Sequence, residues 1–180
     1  MYASIEDMWK RAVDFHGHEC PGLAIGCRMV MEAARYLDLE APACDEEIVC
    51  ISESDACSVD AAQAILSCTL GKGNLLLRLR GKAAMSFFKR SSGKGCRIVW
   101  NGTGDDSLSK SEKIHLLLSD GAEKLFSIQP LSAQVPETAL LSRSVSCAAC
   151  GERTSEAMTR PFQGSLYCLD CWPDHSRILG

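Results

Sequence analysis

Residues 15–22 read Phe15-His16-Gly17-His18-Glu19-Cys20-Pro21-Gly22, with two imidazoles and a thiol at alternate positions. Imidazole and thiolate are ligands for soft and borderline transition metals, so this stretch is suited to metal binding or to thiolate nucleophilicity. Further on, Cys147-Ala148-Ala149-Cys150 and Cys168-Leu169-Asp170-Cys171 form CxxC–x17–CxxC. Two such knuckles supply four thiolates to one tetrahedral ion, and the expected ion is zinc. Iron in a rubredoxin-like site and a redox pair are the alternatives. Four thiolates leave no open position for a substrate, so this zinc is expected to be structural. A segment this short also needs its metal in order to fold.

The first stretch is constrained by geometry. On a helix, side chains two apart diverge, so His16, His18 and Cys20 could share an ion only from an extended or looped segment. Gly17 is suited to end a helix and Pro21 to begin the next. Cys20 then falls at a helix N-terminus, where unpaired amides favour its thiolate. A second stretch, Asp55-Ala56-Cys57-Ser58-Val59-Asp60, places Cys57 where a strand passes into a helix. Cys68 follows roughly 16 Å along that helix, too far to share an ion with Cys57. The candidate core site is therefore His16, His18, Cys20 and Cys57, with Cys20 and Cys57 also the candidate catalytic thiols. Cys27, Cys44, Cys50, Cys68 and Cys96 read as core residues, and His115 and His175 as bystanders.

Several elements must position these groups. Ile5, Met8, Trp9, Ala12, Val13 and Phe15 recur at helical spacing, and a second helix is expected from Pro21 to about Leu37. Residues 41–47 read as a loop and 48–52 as a short buried strand. A third helix is expected over VDAAQAILSCTL, ended by Gly71-Lys72-Gly73-Asn74. Three strands are then expected at 75–80, 83–90 and 95–100, followed by a helix over 110–126 broken near Gly121. The order helix, helix, strand, helix, three strands predicts an α+β core with a small mixed sheet and helices on one face. The expected boundaries are a core at 1–130, a linker at 131–143 and a zinc ribbon at 144–180.

Composition narrows the functions. The chain has 180 residues, 46% apolar and 23% charged, as in ordinary globular proteins. Its longest uncharged stretch, Leu125 to Pro136, is far shorter than a membrane span of roughly 20 residues. The acidic, amphipathic N-terminal segment does not resemble a signal peptide, so a reducing cytoplasm is expected and metal roles outrank disulfides for the 11 cysteines. A net charge of −4 argues against wholesale nucleic-acid binding, and residues 143–180 are balanced between acids and bases. No Asp or Glu occurs between Ala61 and Gly104, where Lys72, Arg78, Arg80, Lys82, Lys89, Arg90, Lys94 and Arg97 fall. These bases either guard sheet edges or form a rim for a small anionic ligand, with Lys72 as a candidate contact.

With these residues identified, FHGHECPGLAIG (15–26), SDACSVDAAQ (54–63), CTLGKGN (68–74) and GKAAMSFFKR (81–90) resemble the E-subunit family of formylmethanofuran dehydrogenase. The resemblance spans residues 1 to about 130, and the ribbon resembles an appendage that many members carry. It implies an α+β core, a homodimer, and a cleft where His16, His18, Cys20 and Cys57 gather around a second divalent transition metal, zinc or another. Cys27 stands where an aromatic is expected and Ser67 where glycine is expected. The named complex works at a molybdenum or tungsten centre fed by iron–sulfur clusters, and this chain has no ferredoxin-type cysteine run. The resemblance therefore implies a metal-binding accessory protein linked to molybdenum- or tungsten-dependent one-carbon metabolism, able to contact a partner protein. A metal-dependent or thiolate enzyme and a regulatory protein acting through its ribbon are the alternatives.

Overall fold

The computed structural model describes residues 4–39, 45–103, 105–119, 121–132, 134–139 and 141–172. Cys44 and His175 lie outside the described residues. The chain divides into two compact units, 1–139 and 140–180.

The first unit opens with α1 (Ile5–His16), capped by the Ser4 side chain accepting from the Asp7 amide. Met8 and Ala12 are buried and Ile5, Trp9 and Val13 pack beside them, whereas Phe15 is exposed. Gly17 ends the helix in the left-handed region, at φ 88°, donating its N–H to Val13 O. After a short junction, α2 (Pro21–Tyr36) begins with Pro21 in its first turn and Cys20 as N-cap. This helix is the centre of the core: Leu23, Ala24, Cys27, Met29, Val30 and Ala33 are fully buried. Full burial of a side chain such as Leu23 or Met29 contributes roughly 1.5–3 kcal/mol. Arg28 is buried too, and its guanidinium donates to the carbonyls of Leu117 and Ser119 at the end of α4 (Lys110–Leu118). It thereby satisfies acceptors that the helix end leaves free.

A five-stranded mixed sheet supports these helices, in the order β2-β1-β3-β4-β5. Its strands are β1 (Ile48–Ser52), β2 (Leu75–Leu77), β3 (Ala84–Lys89), β4 (Gly95–Trp100) and β5 (Phe126–Leu131). Only the β1–β2 pair is parallel. Register places Leu75, Cys50, Phe87 and Cys96 in one row across four strands, and all four belong to the core cluster. The period-2 alternation of a strand makes that row possible. Burial pushes the Cys27, Cys68 and Cys96 thiols up to about 12, and that of Cys50 well above its usual value, as expected of inert core residues.

Three sequence expectations are corrected. The third helix is shorter than expected: α3 spans Ser58–Leu66, and Ser67 leaves it at φ 55°. Residues 68–74 instead form a loop tied by buried Asn74, which accepts from the Thr69 amide and donates to Ile48 O. The strand expected over 75–80 pairs only at Leu75–Leu77, although the Arg78 and Arg80 amides still bond to Ser52 and Glu53. The expected 110–126 helix stops at Leu118; Ala122–Leu125 is a 3₁₀ turn and Phe126 opens β5. That edge strand is largely exposed and tolerates Pro130, so it lacks the alternation that marks an inner strand.

The second unit consists of two hairpins, β6 (Ser144–Ser146) with β7 (Arg153–Ser155) and β8 (Thr159–Phe162) with β9 (Ser165–Cys168). Among its described residues only Cys147 and Thr159 are buried.

Candidate metal centres

In the second unit the Cys147, Cys150, Cys168 and Cys171 ligand atoms lie within 4.8 Å of one another. The Cys147 N–H bonds to Glu152 O, and the Gly151 N–H returns to Cys147 O, so the first knuckle is a tight turn. The second knuckle closes where the Cys171 and Trp172 amides both reach Cys168 O. Amides of Ala149 and Cys168 point at the Cys147 sulfur, at 3.4 Å each. Backbone N–H donation lowers the Cys147 thiol to about 6, which favours a metal-ready thiolate. The unit thus carries a four-cysteine cluster of the zinc-ribbon type, able to hold a metal such as zinc.

In the first unit three helix ends converge. His16 is the last residue of α1, Cys20 caps α2, and Cys57 stands at the N-cap position of α3 without a side-chain cap bond. One ligand atom from each lies within 4.8 Å of the others. The Cys20 sulfur is 3.7 Å from His16 Nε2, against roughly 3.6 Å for a sulfur and a nitrogen sharing a tetrahedral zinc. It also accepts from the Leu23 amide at 3.3 Å, so the helix end is partly satisfied by sulfur. Burial pushes the Cys57 thiol up, and the adjacent Cys20 sulfur pushes it further, because two thiolates side by side repel.

His18, the fourth candidate ligand, is not among the three clustered residues. Gly17 turns the chain at φ 88°, so residues 16–20 do not form one extended run. His18 is exposed, with its ring centroid 4.4 Å from that of His16.

Asp60, not singled out in the sequence, shapes the site. Its Oδ2 is 2.7 Å from His16 Nδ1, and its Oδ1 accepts from Gln63 Nε2 at 2.9 Å. This fixes the imidazole so that Nε2 faces Cys20, the carboxylate–histidine arrangement that orients metal-bound histidines. The detectable signal was spacing: Asp60 lies three residues past Cys57, in the first turn of α3.

Two glycines bring the helix ends together. A Cβ on Gly26 would lie 2.3 Å from Ser58 O, and one on Gly22 would lie 3.2 Å from Cys57 Cβ. Only a bare backbone on this face of α2 lets α3 come close enough for Cys57 to reach Cys20.

His16 and Cys57 also line a cavity of about 290 Å³. Among the described residues its lining contains no Lys or Arg. Half of the basic segment is occupied elsewhere: Lys72 pairs with Asp45, Lys94 with Asp38, and Arg97 with Glu53, while Arg90 donates to the carbonyls of Glu46, Pro136 and Glu137.

Comparison with known proteins agrees with this architecture. The family model described as FmdE, molybdenum formylmethanofuran dehydrogenase operon, matches residues 15–129. The chain belongs to the FmdE family. The matched span includes all three converging helix ends and almost the whole sheet. A crystal structure of a tungsten formylmethanofuran dehydrogenase FmdE-like protein from Syntrophus aciditrophicus aligns with a TM-score of 0.69 at 23% identity, covering 94% of this chain and 92% of that one. That likeness shows the fold. A curated relative from Archaeoglobus fulgidus, a probable S-adenosyl-L-methionine-binding protein, is 27% identical over 200 residues, covering 94% of this chain and 54% of the relative. The FmdE chain thus spans about half the length of that relative. No described helix is long and apolar enough to cross a membrane.

Proposed function

We propose that this FmdE protein is a metal-handling accessory of molybdenum- or tungsten-dependent one-carbon metabolism. In this reading the core site holds a soft or borderline divalent transition metal, and the ribbon holds structural zinc. The observation that carries it is the convergence of His16 Nε2, Cys20 Sγ and Cys57 Sγ, with Asp60 orienting the imidazole. Imidazole with two thiols suits zinc, copper or iron-group ions better than magnesium or calcium. When bound, such an ion supplies Lewis acidity at a position that three protein ligands leave open. The proposal extends to a cytoplasmic homodimer able to contact a partner protein.

A second reading, a metal-dependent or thiolate enzyme, is favoured by the cavity that reaches His16 and Cys57. The Archaeoglobus relative's name, which specifies a small-molecule ligand, supports the same direction.

Metal analysis of Cys20→Ser and Cys57→Ser proteins tests the site. Each is expected to lose the core equivalent while retaining the ribbon metal. Asp60→Asn is expected to weaken core binding by about 10–100-fold, as for other partners of ligating histidines. Full retention of a second equivalent in both cysteine variants would sink the assignment.

A further inference from the structure

We infer that the cavity beside Cys57 binds a small organic cation with an apolar tail. This deepens the core-site reading, because His16 and Cys57 form part of the same cavity.

The lining divides into two chemically distinct parts. One is apolar, formed by Leu70, Leu75 and Leu77. Leu70 is 61% exposed and Leu77 is 43% exposed, so this part leaves leucine surface in water unless something covers it. The other is rich in acceptors: Asp55, Asp60 and Gln63. Asp60 is already held by His16 and Gln63, and its charge is only partly offset by them. Gln63 donates one of its two amide N–H groups to Asp60, and its oxygen is available to accept. Asp55 is exposed and has no hydrogen bond or ion pair among the described residues.

Two cations of the first unit are already engaged. Arg97 is bidentate to Glu53, at 2.5 and 2.9 Å, and Arg11 donates to Ala64 O. Among the described lining residues, a carboxylate or phosphate ligand would meet two carboxylates and no Lys or Arg. A ligand that donates hydrogen bonds and carries positive charge would meet acceptors, and its carbon tail would cover the leucines. The cavity volume restricts the ligand to a small molecule.

The probes are n-pentylammonium, n-pentanol and n-pentanoate, titrated into the full chain as isolated, with leucine methyl NMR as readout. The ammonium is expected to bind about tenfold tighter than pentanoate, with the alcohol between them. Shifts should centre on Leu70, Leu75 and Leu77. Asp55→Asn should reduce the ammonium preference by about threefold, the scale of an exposed ion pair. Leu70→Ser should weaken all three probes alike. Pentanoate binding as tightly as the ammonium, or an ammonium preference unchanged in Asp55→Asn, overturns the inference. Metal content measured on the same samples separates the two readings. Absence of a core metal with the ammonium preference intact defeats only the metal assignment, and pentanoate preference in metal-loaded protein defeats only this inference.

Discussion

In the ribbon, four sulfurs meet at the ends of two short hairpins, with only Cys147 and Thr159 buried among the described residues. In the core, His16, Cys20 and Cys57 meet on three helices whose opposite faces pack into a continuous cluster running from Met8 to Phe126. The ribbon's described residues form almost no hydrophobic interior to hold the four cysteines in place, so metal ligation is expected to supply its folding energy. The core folds by burial, and its candidate ligands are brought together as a consequence. A metal is expected to be a cause of structure in one unit and a guest of structure in the other.

The sharpest way to break this contrast is to remove one ribbon ligand. Cys150→Ser should unfold the 144–168 hairpins, because structural zinc in such modules supplies roughly 10–16 kcal/mol. Amide exchange should rise throughout that segment while the β1 amides (Ile48–Ser52) keep their protection. Loss of protection in both would show that the two units do not fold independently.

The core is expected to fail by packing before it fails by ligation. Gly26→Ala inserts a methyl 2.3 Å from Ser58 O and 2.7 Å from its Cα, backbone atoms that must move. A cost of about 1–3 kcal/mol in urea unfolding is expected, together with loss of core metal and retention of ribbon metal. Gly71→Ala is the control: its Cβ meets nothing, and a change within about 0.5 kcal/mol is expected.

The smallest effect lies at the end of α3. Ser67 occupies the left-handed region at φ 55°, where glycine relieves Cβ strain but adds freedom to the unfolded chain. Ser67→Gly should stabilise the core by about 0.5 kcal/mol in thermal unfolding and leave both metal contents unchanged.

Much of each site was legible because its determinants are local. The ribbon cysteines are spaced as two hairpin knuckles require, and the Gly17 stop with the Pro21 start placed Cys20 at a helix cap. The inner strands β3 and β4 were readable as short runs bounded by glycine-containing turns. β5 was not: its residues are mostly exposed, and only pairing with β4 makes them a strand.

By itself, then, the sequence determined the ligand types, the helix ends that carry Cys20 and Cys57, and the α+β order of elements. These follow from chain-local geometry, where proline restricts φ and glycine permits the left-handed region. Tertiary structure decided which candidates meet. It brought His16, Cys20 and Cys57 together without His18, drew Asp60 onto His16 across 44 residues, and paired Lys72, Lys94 and Arg97 with carboxylates outside the cavity lining. The meeting of Cys20 and Cys57 depends on the close approach of α2 and α3 at Gly22 and Gly26, a contact between segments that no local spacing encodes.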